Sequence, residues 1–176
     1  MIRFGGEVLP ADTINDPSRW GELNLPQFMA RNSKAIREQQ IFDCARQLRQ
    51  NHIKTGAIGF CFGGWGVFRL AAKGQDLVDA ISAAHPSFLQ EEEVEKVEVP
   101  TQIIAPEIDP MFTADLKSHC HQAIPKLGVA YDYQYFPGLE HGFAIRGNPS
   151  MPKEREGMKR AKNAAVHWFH QWLVPQ

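Results

Sequence analysis

The sequence predicts an α/β domain built on a mostly parallel sheet that is flanked by helices. Short apolar segments of strand length alternate along the chain with longer segments of helical periodicity, and this alternation is typical of parallel sheets. Three of the four strand segments are short and mainly apolar, as strands covered on both faces are. With 43% apolar and 22% charged residues, residues 1–176 are expected to form one domain with a sizeable core.

The first half of the chain begins with an irregular segment. Residues 1–25 hold several Gly and Pro among polar residues, which predicts an irregular N-terminal segment. From Pro26 to about Asn51, apolar residues recur at helical spacing and predict a long helix. GAIGF (56–60) predicts a short buried strand, and GGWGVFRLAAK (63–73) predicts the helix behind it.

The second half continues the alternation. VDAISAA (78–84) and TQIIA (101–105) predict the second and third strands, and apolar residues between 116 and 127 predict a helix after them. VAYDYQYF (129–136) predicts the fourth strand, because its tyrosines alternate as the side chains of a strand do. The last helix is expected from roughly 153 to 173.

Charge and cysteine content exclude several classes of function. The net charge of −1 leaves no basic surface for nucleic acid or an anionic membrane. Three cysteines cannot form a disulfide framework and fit a reducing compartment. The N-terminus lacks the apolar region of a signal peptide, and no segment approaches the length of a membrane span. We therefore expect a cytoplasmic protein with no nucleic-acid or membrane partner.

Cys61 lies in GFCFGG (59–64), where the first strand passes into a helix. Functional residues of parallel sheets gather beyond the carboxyl ends of the strands, and the N–H groups and dipole of a helix start stabilise a thiolate. The glycines allow a tight turn and leave space in front of the sulfur, so the segment has the layout of the G-x-S-x-G nucleophile elbow. The alternative is an inert buried cysteine between glycines that only permit close packing.

Two further residues favour a nucleophile over an inert thiol. Asp109 follows the third strand and His141 follows the fourth, so both are expected at the same edge of the sheet as Cys61. The order nucleophile, acid, histidine is that of α/β-hydrolases. His141 would accept the thiol proton or hold the thiolate as an ion pair, and Asp109 would orient the imidazole.

Three segments resemble, in content and order, the catalytic stretches of the dienelactone hydrolase family: IGFCFGG, IDPMF and GLEHGFAIRGNP. The resemblance extends from about residue 5 to the C-terminus and implies the α/β-hydrolase fold. It implies a carboxylic ester or lactone hydrolase of the carboxymethylenebutenolidase type, acting on a small molecule through a thioester acyl-enzyme. In this interpretation Cys61 is the nucleophile, His141 the base and Asp109 the acid.

Four other residues are candidates for binding the substrate or the oxyanion. The backbone N–H of Phe62 would donate to the oxyanion. Arg146 would anchor a substrate carboxylate, and Arg19 is interpreted in the same way. His85, in AHPSF (84–88), resembles a residue near the site of eukaryotic family members. For both arginines, a solvated surface residue is the alternative.

Relative to the family, the sequence begins inside the segment before the long helix. We therefore expect an α/β-hydrolase fold without its first strands, without a second oxyanion donor and without an acidic residue beside the nucleophile. Loss of one oxyanion donor lowers the rate roughly 10²–10³-fold. GAIGF would then have an exposed edge, and we expect copies of the chain to associate through it. A catalytically weak or silent binding module is the alternative function.

Other chemistries explain the motifs less well. A thiol redox or deglycase-type protein would also place a cysteine on an elbow, but would explain neither Asp109 nor His141. HCH (119–121) offers three metal ligands, yet adjacent residues on a helix diverge, so we expect no metal site. GFCFGGWG lacks the lysine of a phosphate-binding P-loop, and no cofactor is expected.

Overall fold

Four parallel strands form the sheet at the centre of the structure, a computed structural model that describes residues 7, 9–14 and 16–174. The strands are β1 (Gly56–Phe60), β2 (Ala80–Ala84), β3 (Thr101–Ile108) and β4 (Tyr131–Glu140). They lie side by side in chain order, and every neighbouring pair is parallel. The predicted fold class, a parallel sheet flanked by helices, is confirmed.

Eight α-helices occur within the described ranges: α1 (Ala11–Ile14), α2 (Leu25–Arg31), α3 (Lys34–Asn51), α4 (Phe62–Leu70), α5 (Glu91–Val94), α6 (Ala114–Ala123), α7 (Phe143–Arg146) and α8 (Pro152–Leu173). Two 3₁₀ turns, Pro17–Glu22 and Ile124–Leu127, accompany them. Part of the predicted irregular segment, residues 1–6, 8 and 15, lies outside the described residues. None of the helices described is both long and apolar enough to cross a bilayer.

Successive residues of each strand face two different cores. Ile103 of β3 packs in a cluster that includes Phe42 of α3 and Phe68 of α4. Its neighbour Ile104 packs in a second cluster that includes Ala161 of α8. The sheet is therefore covered by α3 and α4 on one face and by α8 on the other, which explains why its inner strands are mainly apolar.

The outer edge of β1 is not covered by another strand among the described residues, since β1 is the first strand of the sheet order. Ile58 in this strand is 43% exposed, although it is apolar. Gly56, on the same side of the strand, lies so close to α8 that an added Cβ would be 2.6 Å from Leu173. Helix α8 thus covers the start of β1, while Ile58 remains accessible.

The single helix predicted from Pro26 to Asn51 is in fact two helices, α2 and α3, because the helical conformation is interrupted at Asn32 and Ser33. The Asn32 side chain is buried: its Nδ2 donates to the Phe28 carbonyl at 2.8 Å and its Oδ1 accepts from the Arg37 guanidinium at 2.9 and 2.5 Å. Ser33 has extended backbone, with ψ near 160°, and its carbonyl accepts the first bonds of α3. Short polar side chains of this kind compete with the helical backbone and favour helix starts.

Candidate active site

Each of the four strands is followed directly by a residue whose side chain can take part in catalysis. Cys61 follows β1, His85 follows β2, Asp109 follows β3 and His141 follows β4. Because the strands are parallel, all four side chains lie at the same edge of the sheet. The ligand atoms of Cys61, His85 and His141 lie within 4.8 Å of one another, and His141 contacts Asp109. The structure therefore brings together the three residues predicted for the triad, with His85 beside them.

Cys61 occupies a sharp backbone turn between β1 and α4. Its φ of 50° and ψ of −118° are values that residues with a side chain rarely adopt. The turn is held by the loop after β2: the Cys61 N–H donates to the Ala84 carbonyl at 3.2 Å, and the Cys61 carbonyl accepts from the Ser87 N–H at 2.9 Å. Backbone hydrogen bonds therefore fix the position of the sulfur.

The two glycines beside the turn have different roles. A Cβ at Gly59 would lie 2.0 Å from the Gly63 carbonyl oxygen and 2.7 Å from the Gly64 nitrogen, so only glycine lets the backbones of β1 and α4 approach this closely. A Cβ at Gly63 would meet nothing within 4 Å. The tight turn thus depends on Gly59, while Gly63 has open space beside it.

Asp109 is a buried carboxylate with three hydrogen bonds. Its Oδ1 lies 2.9 Å from His141 Nδ1 and accepts from the backbone N–H groups of Met111 and Phe112 at 2.8 and 2.9 Å. Burial raises the pKa of Asp109, but the hydrogen bonds and the His141 charge outweigh burial and hold the pKa below its usual value. Asp109 is therefore ionised at neutral pH and fixes the ring of His141.

His141 carries its Nδ1 proton toward Asp109, which leaves Nε2 on the side of the elbow. Nε2 lies 3.4 Å from the Ser87 hydroxyl. Burial lowers the pKa of His141, but the Asp109 carboxylate and the Cys61 sulfur outweigh burial and raise this pKa to about 9. At neutral pH a protonated imidazole therefore lies beside Cys61.

His85 is fully buried and has a φ of 38°. Its Nδ1 lies 3.4 Å from Cys61 Sγ and accepts from the Cys61 N–H at 3.3 Å. Burial and the His141 charge lower the pKa of His85 to about 3, against the opposing effect of Asp109, so the ring is neutral. Its Nε2 is buried and has no hydrogen-bond partner in the described part of the chain.

Two predicted binding residues have different surroundings. Arg146, at the end of α7, lies with Nη2 3.9 Å from Cys61 Sγ, so a cation is present beside the sulfur. Arg19 forms ion pairs with Asp12 at 3.1 Å and Glu22 at 2.8 Å in the N-terminal segment. Its part in substrate binding stays a prediction.

Ser87 belongs to the site although the sequence analysis missed it. It is 4% exposed, its N–H binds the Cys61 carbonyl, and its hydroxyl lies 3.4 Å from His141 Nε2. Its position could have suggested a place in the site, because it lies two residues beyond His85 in the loop after β2. Loops at the carboxyl ends of parallel strands line such sites.

The dienelactone hydrolase family pattern matches residues 4–173. Hydrolase pyvD of Aspergillus violaceofuscus is 31% identical over 178 residues, covering 97% of this chain and 67% of that protein. Hydrolase tropI of Talaromyces stipitatus is 31% identical over 132 residues, covering 74% and 51%. The human carboxymethylenebutenolidase homolog is 26% identical, covering 90% and 65%.

Solved structures show the same fold. A Klebsiella pneumoniae structure assigned to the dienelactone hydrolases has a TM-score of 0.69 and 16% identity, covering 86% of this chain and 70% of the other. The dienelactone hydrolase-like promiscuous phosphotriesterase P91, from metagenomic libraries, has a TM-score of 0.55 and 20% identity, covering 66% and 52%. The chain spans about half to two thirds of the length of the three curated relatives above.

Proposed function

Since the chain belongs to the dienelactone hydrolase family, we propose that it hydrolyses carboxylic esters or lactones with Cys61 as nucleophile. In this proposal His141 transfers protons and Asp109 orients and stabilises its imidazolium. The observation that carries the proposal is the 2.9 Å hydrogen bond between His141 Nδ1 and Asp109 Oδ1. This bond leaves Nε2 as the proton-transferring atom on the side of Cys61.

Acylation begins with attack of the Cys61 thiolate on the substrate carbonyl carbon. A carbon–sulfur bond forms, and the carbonyl electron pair moves to oxygen, giving a tetrahedral oxyanion. The N–H of Phe62, the first residue of α4, would donate to this oxyanion together with the positive end of the helix dipole. When the carbon–oxygen bond breaks, the leaving alkoxide takes the proton from His141 Nε2, and a thioester remains.

Deacylation uses His141 in the opposite sense. The now neutral Nε2 accepts a proton from water, and the resulting hydroxide attacks the thioester carbonyl carbon. Collapse of the second tetrahedral intermediate breaks the carbon–sulfur bond and releases the carboxylic acid. The thiolate and the imidazolium are both restored, so the site returns to its starting charge state.

The substrate we propose is an ester or lactone that carries a free carboxylate. Arg146 supports this choice, because its guanidinium lies 3.9 Å from Cys61 Sγ and such a cation binds carboxylates. His85 is neutral and buried, so it would contribute a polar but uncharged wall next to the sulfur. Arg19 is a further candidate contact of the substrate.

Steady-state hydrolysis of p-nitrophenyl acetate by the purified chain tests this function. We expect turnover that Cys61→Ser lowers by at least 10²-fold and that Cys44→Ser leaves intact, since Cys44 lies on α3 outside the site. Persistent turnover in Cys61→Ser would contradict the mechanism. A folded chain with no turnover would favour the alternative, a silent binding module of the same fold.

A further inference from the structure

We infer that Cys61, His85 and His141 form a site for Zn²⁺, occupied reversibly and in competition with substrate. Only the expected inhibition rests on the proposed hydrolase function, whereas the binding itself rests on the arrangement of the three side chains. His85 is the residue that distinguishes this site from the pair of Cys61 and His141 alone.

The donor atoms are of the type that zinc prefers. Thiolate sulfur and imidazole nitrogen are the common ligands of Zn²⁺, and three protein ligands with a fourth position open to water form a frequent arrangement. With Zn–S near 2.3 Å and Zn–N near 2.0–2.1 Å, a tetrahedral site separates a sulfur from a nitrogen by about 3.5 Å. Cys61 Sγ and His85 Nδ1 are 3.4 Å apart, and all three donors lie within 4.8 Å of one another.

His85 is a buried donor whose hydrogen bonding is incomplete. Its Nδ1 is directed at Cys61, where it accepts only a long 3.3 Å bond from the backbone N–H, and its Nε2 has no partner among the residues described. Burial of the whole ring fixes its orientation. A rigid, neutral imidazole that already faces a sulfur would lose little on binding a metal ion through Nδ1.

His141 already has the environment of a metal-binding histidine. Histidine ligands of zinc usually donate the other ring N–H to a carboxylate, which fixes the tautomer, and Asp109 accepts from His141 Nδ1 at 2.9 Å. Nε2 is therefore the free donor atom. Binding displaces the protons held by Cys61 Sγ and by His141 Nε2, and these protons pass to the buffer.

Arg146 opposes the metal ion. Its guanidinium lies 3.9 Å from Cys61 Sγ, so its positive charge repels a dication at that position. The residue is exposed, which allows the side chain to turn toward solvent when the ion binds. Removing this charge should therefore strengthen metal binding, whereas removing a ligand should weaken it.

A second group of possible ligands lies elsewhere and provides the control. His119 Nδ1 is 3.6 Å from Glu91, and His119 Nε2 is 3.4 Å from Glu95. This group has no thiolate, because Cys120 is buried and its pKa is raised to about 12 by burial. A bound cobalt ion would therefore show a sulfur-to-metal charge-transfer band only in the site of Cys61.

Titration with Co²⁺ and Zn²⁺, against a chromophoric chelator, tests the site. We expect one ion per chain, a thiolate-to-cobalt band that Cys61→Ser abolishes, and affinity at least about 10-fold lower in His85→Asn. Asn tolerates the positive φ of position 85, and thermal unfolding checks that the variant is folded. Arg146→Gln should bind several-fold more tightly, an effect that general destabilisation would not produce.

Unchanged affinity in folded His85→Asn, or loss of binding in His119→Asn, would overturn the inference. Zn²⁺ should also inhibit esterase turnover reversibly, with recovery on addition of EDTA. If the chain shows the cobalt band but no esterase activity, the zinc site stands and the hydrolase proposal fails. If it hydrolyses esters but shows no band, the reverse holds.

Discussion

His141 Nδ1 lies 2.9 Å from Asp109 Oδ1, although 32 positions separate the two residues and they follow different strands. The carboxylate helps to raise the pKa of His141 to about 9, against the effect of burial. Removing this carboxylate should therefore impair ester hydrolysis and lower the pKa of His141.

Replacing Asp109 with Asn should lower kcat for ester hydrolysis by about 10²–10⁴-fold, because the imidazolium loses its counter-charge and its fixed tautomer. The pH profile should move as well. In the proposed mechanism protonated His141 is the proton donor of acylation, so the rate should fall as pH rises through about 9 in the unmodified chain. In Asp109→Asn it should begin to fall at lower pH. Asp115→Asn, an exposed change on α6, is the control, and an unmoved profile in Asp109→Asn would contradict the assignment.

Iodoacetamide should label Cys61 faster than the other two cysteines near neutral pH. In the proposed mechanism Cys61 reacts as a nucleophile beside His141, whereas Cys120 is buried with its pKa raised to about 12 by burial. Mass spectrometry of peptides at increasing times measures the three rates, with Cys44 as the partly exposed reference. Equal or faster labelling of Cys44 or Cys120 would argue against an activated thiol.

Gly59→Ala and Gly63→Ala should differ strongly in stability. The new Cβ at position 59 meets backbone atoms at 2.0 Å, so we expect a loss of more than about 3 kcal/mol or a chain that does not fold. At position 63 the Cβ meets open space, and alanine is favoured over glycine in a helix by up to about 1 kcal/mol. Urea unfolding of both variants makes the comparison, and similar stabilities would show that the turn is not limited by backbone contact.

Arg146→Gln should raise KM for esters that bear a carboxylate, with little change for neutral esters of the same acyl group. A charge-assisted hydrogen bond of about 1.5–3 kcal/mol corresponds to a change of about 10-fold or more. Arg155→Gln, an exposed change on α8, serves as the control. An equal rise for charged and neutral substrates would point to a disturbed site rather than to carboxylate binding.

Copies of the chain should associate through the outer edge of β1. Within the described part of the chain no strand pairs with this edge of β1, and the side chain of Ile58 is exposed. Strand edges of this kind recruit other strands. Analytical ultracentrifugation at micromolar concentration should show oligomers that Ile58→Lys reduces and that Val166→Lys, on the exposed surface of α8, does not. A monomer at every concentration would contradict this prediction.

The sequence analysis placed Cys61, Asp109 and His141 just after strands, and in the structure they directly follow β1, β3 and β4. The predicted ends of the strands were less accurate. The third strand was predicted to stop at Ala105, yet β3 continues to Ile108 with an irregular register near Pro106. Proline lacks the N–H of a ladder and is uncommon inside strands. Pairing with β4 therefore outweighed the low preference of proline for strand interiors.

The contact between His85 and Cys61 could not be predicted in detail. It depends on the positive φ of both residues, and a non-glycine residue in this backbone region has no sequence signature. The break between α2 and α3 was missed for a related reason. Asn32 ends the helix through its burial and its hydrogen bonds with Arg37, and the spacing of apolar residues indicates neither of these.

The position of one site residue directly after each strand has a consequence for refolding. A slip of one residue between neighbouring strands would displace a side chain by about 3.3 Å and turn it to the other face. The fast alkylation predicted for Cys61 therefore depends on native alignment of β1, β2, β3 and β4, whose ends position Cys61 and the residues around it. Because parallel sheets join segments distant in the chain and form slowly, the time course of thiol reactivity during refolding would record when the last strand reaches its register.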